Sequence, residues 1–159
     1  MDKIEIKNAT IIDGLGGDPY LGNIYLNDGK IIAMTNGENI SADISIDATG
    51  KVVTPGFIDL HTHSDLSFLI DSTAQSKVRQ GVTMELIGNC GMSDAAPVRD
   101  HTKELLMMKL SRYGATGDIA DNIGWADYAG YINASKKRGA TLNIAFQVGH
   151  ATIRSAVMG

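Results

Sequence analysis

Apolar residues follow two rhythms along this chain. Up to about residue 54 they alternate with polar ones over short runs, as in Ile4 and Ile6, Ile24 and Leu26, and Ile44 and Ile46, with Ile31-Ile32 and Val52-Val53 between and after. A period of two, broken by Asp-, Asn- and Gly-rich stretches, predicts short strands joined by turns. Asp28-Gly29, set between two such runs, predicts a two-residue hairpin. Asn8-Ala9-Thr10 interrupts the first run, and Asp13-Gly14 opens a turn that extends to Pro19. Residues 1–54 are therefore expected to form a small all-β domain.

From Pro55-Gly56 the rhythm becomes strand, helix, strand. An apolar run leads from Phe57 towards His63. Asp71 or Ser72 can cap a helix over Thr73–Gln80, which Gly81 ends in the left-handed conformation. Val82–Ile87 reads as a strand, followed by a helix from His101 to Arg112 with Asp100 as its cap and Leu105, Met108 and Leu110 at near-helical spacing. Gly114, Gly117 and Gly124 mark a loop. Trp125–Arg138 predicts a helix that lays Trp125, Tyr128, Ala129 and Ile132 on one face, carries Lys136-Lys137-Arg138 at its C-terminal end and stops at Gly139. Leu142–Val148 is a strand with Leu142, Ile144, Phe146 and Val148 on one face, expected to point inside a barrel, and Ala151–Met158 begins a further helix. Strands alternating with helices favour a parallel α/β sheet for residues 55–159.

Composition narrows the class without changing this picture. The chain has 159 residues, of which 43% are hydrophobic and 20% charged, as in a soluble globular domain. A net charge of −4 argues against nucleic acid as a partner. No apolar run approaches the roughly 20 residues needed to span a bilayer, so no membrane partner is expected. Met1-Asp2-Lys3-Ile4-Glu5 lacks the basic segment and apolar core of a secretory signal. The single cysteine, Cys90, excludes an internal disulfide and suits a reducing cytoplasm.

The candidate chemistry lies at strand ends. His61 and His63 are two apart, so in an extended chain they share a face, and two imidazoles there can grip a divalent metal such as zinc. Asp59 has the same parity and is placed to orient an imidazole. A bare His-x-His is more often two polar residues where a strand meets solvent, but here it follows a Pro-Gly turn and a buried-type strand. Cys90, between Asn89 and Gly91 at the next strand's end, reads equally as a small buried hydrophobe or as a thiolate ligand. The third strand ends at Gly149-His150. His150 reads as a pocket group or a loop hydrogen-bonder, and Arg154 as a pocket cation or a helix-surface charge. His101 reads as solvated, and Met107 and Met108 as packing. Three successive strands with ligand-capable ends match the way (β/α) barrels gather chemistry at the C-terminal ends of their strands.

These residues also carry a resemblance. Val53-Thr54-Pro55-Gly56-Phe57-Ile58-Asp59, running into His61 and His63, resembles the first barrel strand of the amidohydrolase superfamily, and Asp28-Gly29-Lys30-Ile31 is similar to a segment of its small β-sandwich. Ser76–Thr83, Glu85–Gly91 with its Gly-Asn-Cys-Gly, Trp125, Asn143, Val148-Gly149-His150 and Arg154 are similar to the N-acyl-D-amino-acid deacylases, or D-aminoacylases. The resemblance implies a composite β-sandwich followed by about three βα units of a metal-dependent-hydrolase TIM barrel, left incomplete. It implies Zn2+ held by His61, His63 and Cys90, with the cysteine replacing a carboxylated lysine. It implies Asp59, Asn89, His150 and Arg154 around the ligands or the substrate pocket. The implied reaction is hydrolysis of a small-molecule N-acyl-D-amino acid. The family's two later histidine ligands and its aspartate acid/base match nothing here, so no catalytic residue is assigned in this chain and a fragment is expected. Hydrolysis of a cyclic amide or a D-peptide, or a catalytically incomplete fragment that binds metal or an assembly partner, are the alternatives. An incomplete barrel is also expected to be marginally stable or to self-associate through the edge of the third strand or the exposed barrel face.

Overall fold

The computed structural model describes residues 2–93, 99–114 and 123–158, without the side chains of Asp100, His101 and Leu105. The expectation that His101 is solvated, and most of the loop expected across Gly114–Gly124, fall outside the described residues. The chain divides into two compact units, Met1–Pro55 and Gly56–Gly159.

The first unit is a five-stranded sheet made of β1 (Ile4–Ile11), β2 (Tyr20–Asn27), β3 (Lys30–Thr35), β4 (Ile44–Asp47) and β5 (Val52–Val53). The order is β3-β2-β1-β4, with β5 also pairing β1. Asp28 and Gly29 both take positive φ, the backbone that a two-residue hairpin between β2 and β3 requires. β1 does not break at Asn8. It runs through as one strand with an irregularity between Ile6 and Ala9. Asn8 adopts φ +60° there, its N–H donating to Asn23 Oδ1 and its side-chain amide to Asp47 Oδ1. Ala9, Ile11, Ile24 and Ala48 form this unit's small core.

The second unit is built on a parallel sheet, β6 (Phe57–Asp59), β7 (Val82–Ile87) and β8 (Asn143–Phe146), in that order, with β6 and β8 at its edges among the described residues. Its helices among the described residues are α1 (Ser67–Ile70), α2 (Gln75–Val78), α3 (Asp100–Arg112), α4 (Tyr128–Arg138) and α5 (His150–Met158). α2 is a single turn rather than Thr73–Gln80. Asp71 turns its carboxylate back onto the N–H and hydroxyl of Thr73, and Ala74 enters the left-handed region just before the helix. α3 is capped by Arg99 rather than Asp100, with Thr102 Oγ1 accepting the Arg99 N–H. Its buried positions are Leu106 and Leu110, while Met108 is exposed. α4 begins three residues later than the apolar pattern implies, because Asp127 caps it by accepting from the Gly130 N–H at 2.7 Å.

Leu66, Phe68, Leu69, Ile87, Leu106, Leu110, Ile123, Trp125 and Tyr131 form the core between this sheet and its helices. Tyr131, rather than Ala129, is the inward residue of α4: it is fully buried, and its hydroxyl donates to the Asp65 carbonyl. Ile144 and Phe146 pack on the same core, Phe146 meeting Tyr131 edge-on with ring centroids 5.7 Å apart. The face of β8 expected to point inside a barrel therefore points to the helices. The register Ile58↔Met84↔Asn143 and Leu86↔Ala145 places those residues on the opposite face, which is open. Ile58 and, just past β6, Leu60 are 57% and 66% exposed. The alternation of Ile144 and Phe146 with Asn143 and Ala145 marks which residues share a face, but not whether the apolar face meets the helices or a barrel interior.

Candidate metal centre

β6 ends at Asp59, so His61 and His63 stand in the loop just beyond it rather than in the strand. Thr62, between them, points the other way and is buried, its N–H and hydroxyl both 3.3 Å from the Leu86 carbonyl. Asn89 extends the same lock, its side-chain amide donating to the carbonyls of Thr62 and Leu86 at 3.2 and 2.7 Å. One buried threonine and one asparagine thus tie the histidine loop to the end of β7.

The β7 end then bends back. Cys90 holds φ +57°, a left-handed backbone that costs a residue with a Cβ roughly 1–2 kcal/mol. That conformation is maintained by the packing around it. Gly88 lies so close to β8 that a Cβ there would collide with the Gln147 carbonyl, and a Cβ on Gly149 would meet the Gly91 carbonyl. Ser93 completes the clamp: its Oγ accepts the Gly149 N–H, its N–H donates to Thr152 Oγ1, and Ala151 N–H donates to the Gly91 carbonyl. Strain held at one residue by such surroundings is a recurrent property of functional sites.

The outcome is a cluster. One donor atom from each of His61, His63 and Cys90 lies within 4.8 Å of the other two, and all three residues are exposed. His61 Nε2 and Cys90 Sγ are 3.1 Å apart, and the two imidazole rings are inclined at 59° with centroids 5.7 Å apart. Zinc bonds of about 2.0 Å to nitrogen and 2.3 Å to sulfur put neighbouring tetrahedral ligands about 3–4 Å apart. The donor set and its spacing fit that ion, with the outer side left open to a further ligand.

Asp59 does not orient an imidazole. Its Oδ1 accepts the His61 backbone N–H at 3.3 Å, and its Oδ2 pairs with Lys77 Nζ at 2.7 Å. Asp59 sits directly opposite Glu85 in the β6–β7 register, so two carboxylates face each other across the strands, an arrangement that repels unless a cation intervenes. Lys77, on α2, is that cation, 3.2 Å from Glu85 Oε1 in an ion pair whose geometry falls short of a hydrogen bond. Side-chain exposures are 32% for Asp59, 29% for Lys77 and 4% for Glu85. The Lys77 hydrogen bond and then the His61 N–H hold the Asp59 carboxyl below its ordinary value, and Asp59 above all raises Lys77. The sequence reading missed this network. Its one visible sign was Glu85, a lone charge in the middle of an apolar strand. His150 opens α5 and Arg154 lies one turn on. Both are exposed, and neither belongs to the cluster of donors.

A model of the amidohydrolase family matches residues 45–159. The chain is 35% identical over 154 residues to N-acyl-D-glutamate deacylase of Alcaligenes xylosoxydans xylosoxydans, covering 96% of this chain and 30% of that protein. It is 32% identical over 156 residues to the D-aminoacylase of the same organism, again covering 96% and 30%. The crystal structure of Bordetella bronchiseptica N-acyl-D-glutamate deacylase, complexed with zinc and a phosphonate inhibitor that mimics the tetrahedral intermediate, superposes with a TM-score of 0.78 at 34% identity. That match covers 98% of this chain and 31% of the enzyme. The chain thus spans about 30% of the length of these relatives.

Proposed function

The chain belongs to the amidohydrolase family, and from that premise we propose that its protein hydrolyses the amide bond of N-acyl-D-amino acids, with zinc held by His61, His63 and Cys90. The observation that carries this reading is the meeting of two imidazoles and one sulfur within 4.8 Å at the ends of neighbouring parallel strands. Zinc, when bound, makes a water acidic near neutral pH and polarises an acyl carbonyl. The chain's own residues do the rest. Thr62 and Asn89 hold the two loops together, so the three donors stay converged without a ligand to organise them. The open outer side admits a substrate, and His150 and Arg154 are assigned to its mouth. In this reading the remaining ligands and the aspartate acid/base come from parts of the barrel outside residues 1–159. β6–β8 with their helices are about three βα units of that barrel, the first unit is part of a composite β-sandwich, and the setting is cytoplasmic.

Titrating the metal-free chain with zinc under a competing chelator tests the reading. One zinc per chain is expected, and absence of tight binding would end the proposal. The same zinc-loaded preparation is expected to show no turnover of N-acetyl-D-amino acids, because loss of a general acid/base alone costs ~10²–10⁴-fold in rate. Clear turnover, abolished by His61→Ala, would mean that groups within these residues replace the aspartate.

Self-association is the other expectation. Among the described residues β6 and β8 are unpaired edges, and Ile58 and Leu60 lie exposed on the open face of that sheet. Light scattering coupled to size exclusion is expected to return a mass above that of one chain. A monodisperse monomer with a sharp, cooperative melt would exclude it.

A further inference from the structure

Next to the candidate metal centre lies a cavity of about 470 Å³, lined by His63, Asp65, Met92, Lys109, Arg112 and Tyr113. Its volume is in the range of small-molecule sites, about 300–1,000 Å³. His63 belongs to both the cavity and the cluster of donors, so the cavity adjoins the candidate metal position. Lys109 and Arg112 are three residues apart in the last turn of α3, which puts them on one side of that helix. Cations in a last turn commonly serve only to complement the helix dipole. Here, however, both also line the cavity. The charged residues of the lining are the almost wholly buried acid Asp65 and two cations, Lys109 and Arg112, in a chain whose net charge is −4. Met92 and Tyr113 are exposed and supply an apolar wall beside these cations.

We propose that this cavity is a carboxylate-recognition subsite, in which Arg112, supported by Lys109, holds a carboxylate of the substrate while Met92 and Tyr113 take its aliphatic part. This rests on reading the neighbouring cluster as the site of amide hydrolysis, and it adds the substrate feature that α3 recognises. A planar guanidinium donates two parallel hydrogen bonds to a carboxylate, which an ammonium cannot do. The group recognised is the α-carboxylate or a side-chain carboxylate, and the choice of ligands separates the two.

The test is an NMR titration of the full chain, zinc-free and zinc-loaded, with N-acetyl-D-alanine, N-acetyl-D-alaninamide, N-acetyl-D-glutamate and N-acetyl-D-glutamine. The acids are expected to bind about tenfold more tightly than their amides. Arg112→Gln is expected to erase that preference and Arg112→Lys to restore part of it, with zinc affinity and the melt unchanged because Arg112 is exposed and outside the donor cluster. Loss of the alanine–alaninamide difference assigns the α-carboxylate. Loss of the glutamate–glutamine difference assigns a side-chain carboxylate. Equal binding of acid and amide by the unaltered chain, or an Arg112→Gln chain that still prefers acids, would overturn the subsite. A chain that binds no zinc yet shows the Arg112-dependent preference would sink the hydrolase reading and leave the subsite standing.

Discussion

Cys90→Ser is expected to weaken zinc binding by about 100-fold or more, with a similar loss for His61→Ala. Groups that merely orient a metal's ligands are typically worth about 10–100-fold in affinity, so losing a ligand outright should exceed that range. The cysteine variant is the cleaner of the two. Cys90 is exposed, so serine forfeits no buried surface, and the left-handed backbone at φ +57° is equally demanding for either residue. A change in zinc affinity would then report coordination rather than folding. Chelator competition measures it directly, and thermal melts supply a second readout. Zinc at 100 times its Kd stabilises a chain by about 2.7 kcal/mol, and this increment should vanish in the variant. Unaltered affinity in Cys90→Ser would reduce the centre to a histidine pair with some other third ligand.

Lys77→Met carries the second large effect, a destabilisation of about 2 kcal/mol, because it strands the buried Glu85 carboxylate while the partly exposed Asp59 is screened by solvent. Methionine fills much of the lysine's volume but leaves Asp59 and Glu85 facing each other, and Glu85 has almost no access to water. Glu85→Gln should cost less, since it removes the buried charge and leaves the 2.7 Å Lys77–Asp59 pair in place. Adding Glu85→Gln to Lys77→Met should therefore recover stability. Urea denaturation of the three variants would show this order, and a Lys77→Met chain as stable as the unaltered one would refute it. The network also sets a pH dependence. Asp59 is depressed from 3.8, so its contribution is complete above that value and lost as pH falls through the lower folded value. Lys77 is raised from 10.5, so its contribution is complete below that value and lost as pH rises through the higher folded one. Asp59→Asn should flatten the acid limb of the stability profile below about pH 4.

Element type was legible in the sequence wherever local chemistry decides it. The Asp28-Gly29 hairpin, the Val82–Ile87 strand and the helix stop at Gly139 stand where the residues put them, because turn chemistry and side-chain period act within a few residues. The candidate ligands were legible for the same reason: Cys90 and the His61-His63 pair each follow a strand, and parallel strands end on the same side. Where elements began was less legible. Asp71 and Asp127 are both capping residues by type, yet Asp71 closes a local turn and Asp127 starts a helix.

Tertiary structure alone decided which face each element covers. Ile144 and Phe146 turn to the helices because Tyr131 and the rest of that layer pack there; their alternation with Asn143 and Ala145 shows that they share a face, but not what that face covers. It also decided that Asp59 answers to Lys77 and a backbone N–H instead of an imidazole, since its partner arrives on a helix 18 residues later. The left-handed turn at Cys90 and the cations of α3 beside His63 have the same origin. Periodicity records how a backbone repeats along itself. Contacts between residues far apart in the chain depend on the packing of whole elements, which no local pattern contains.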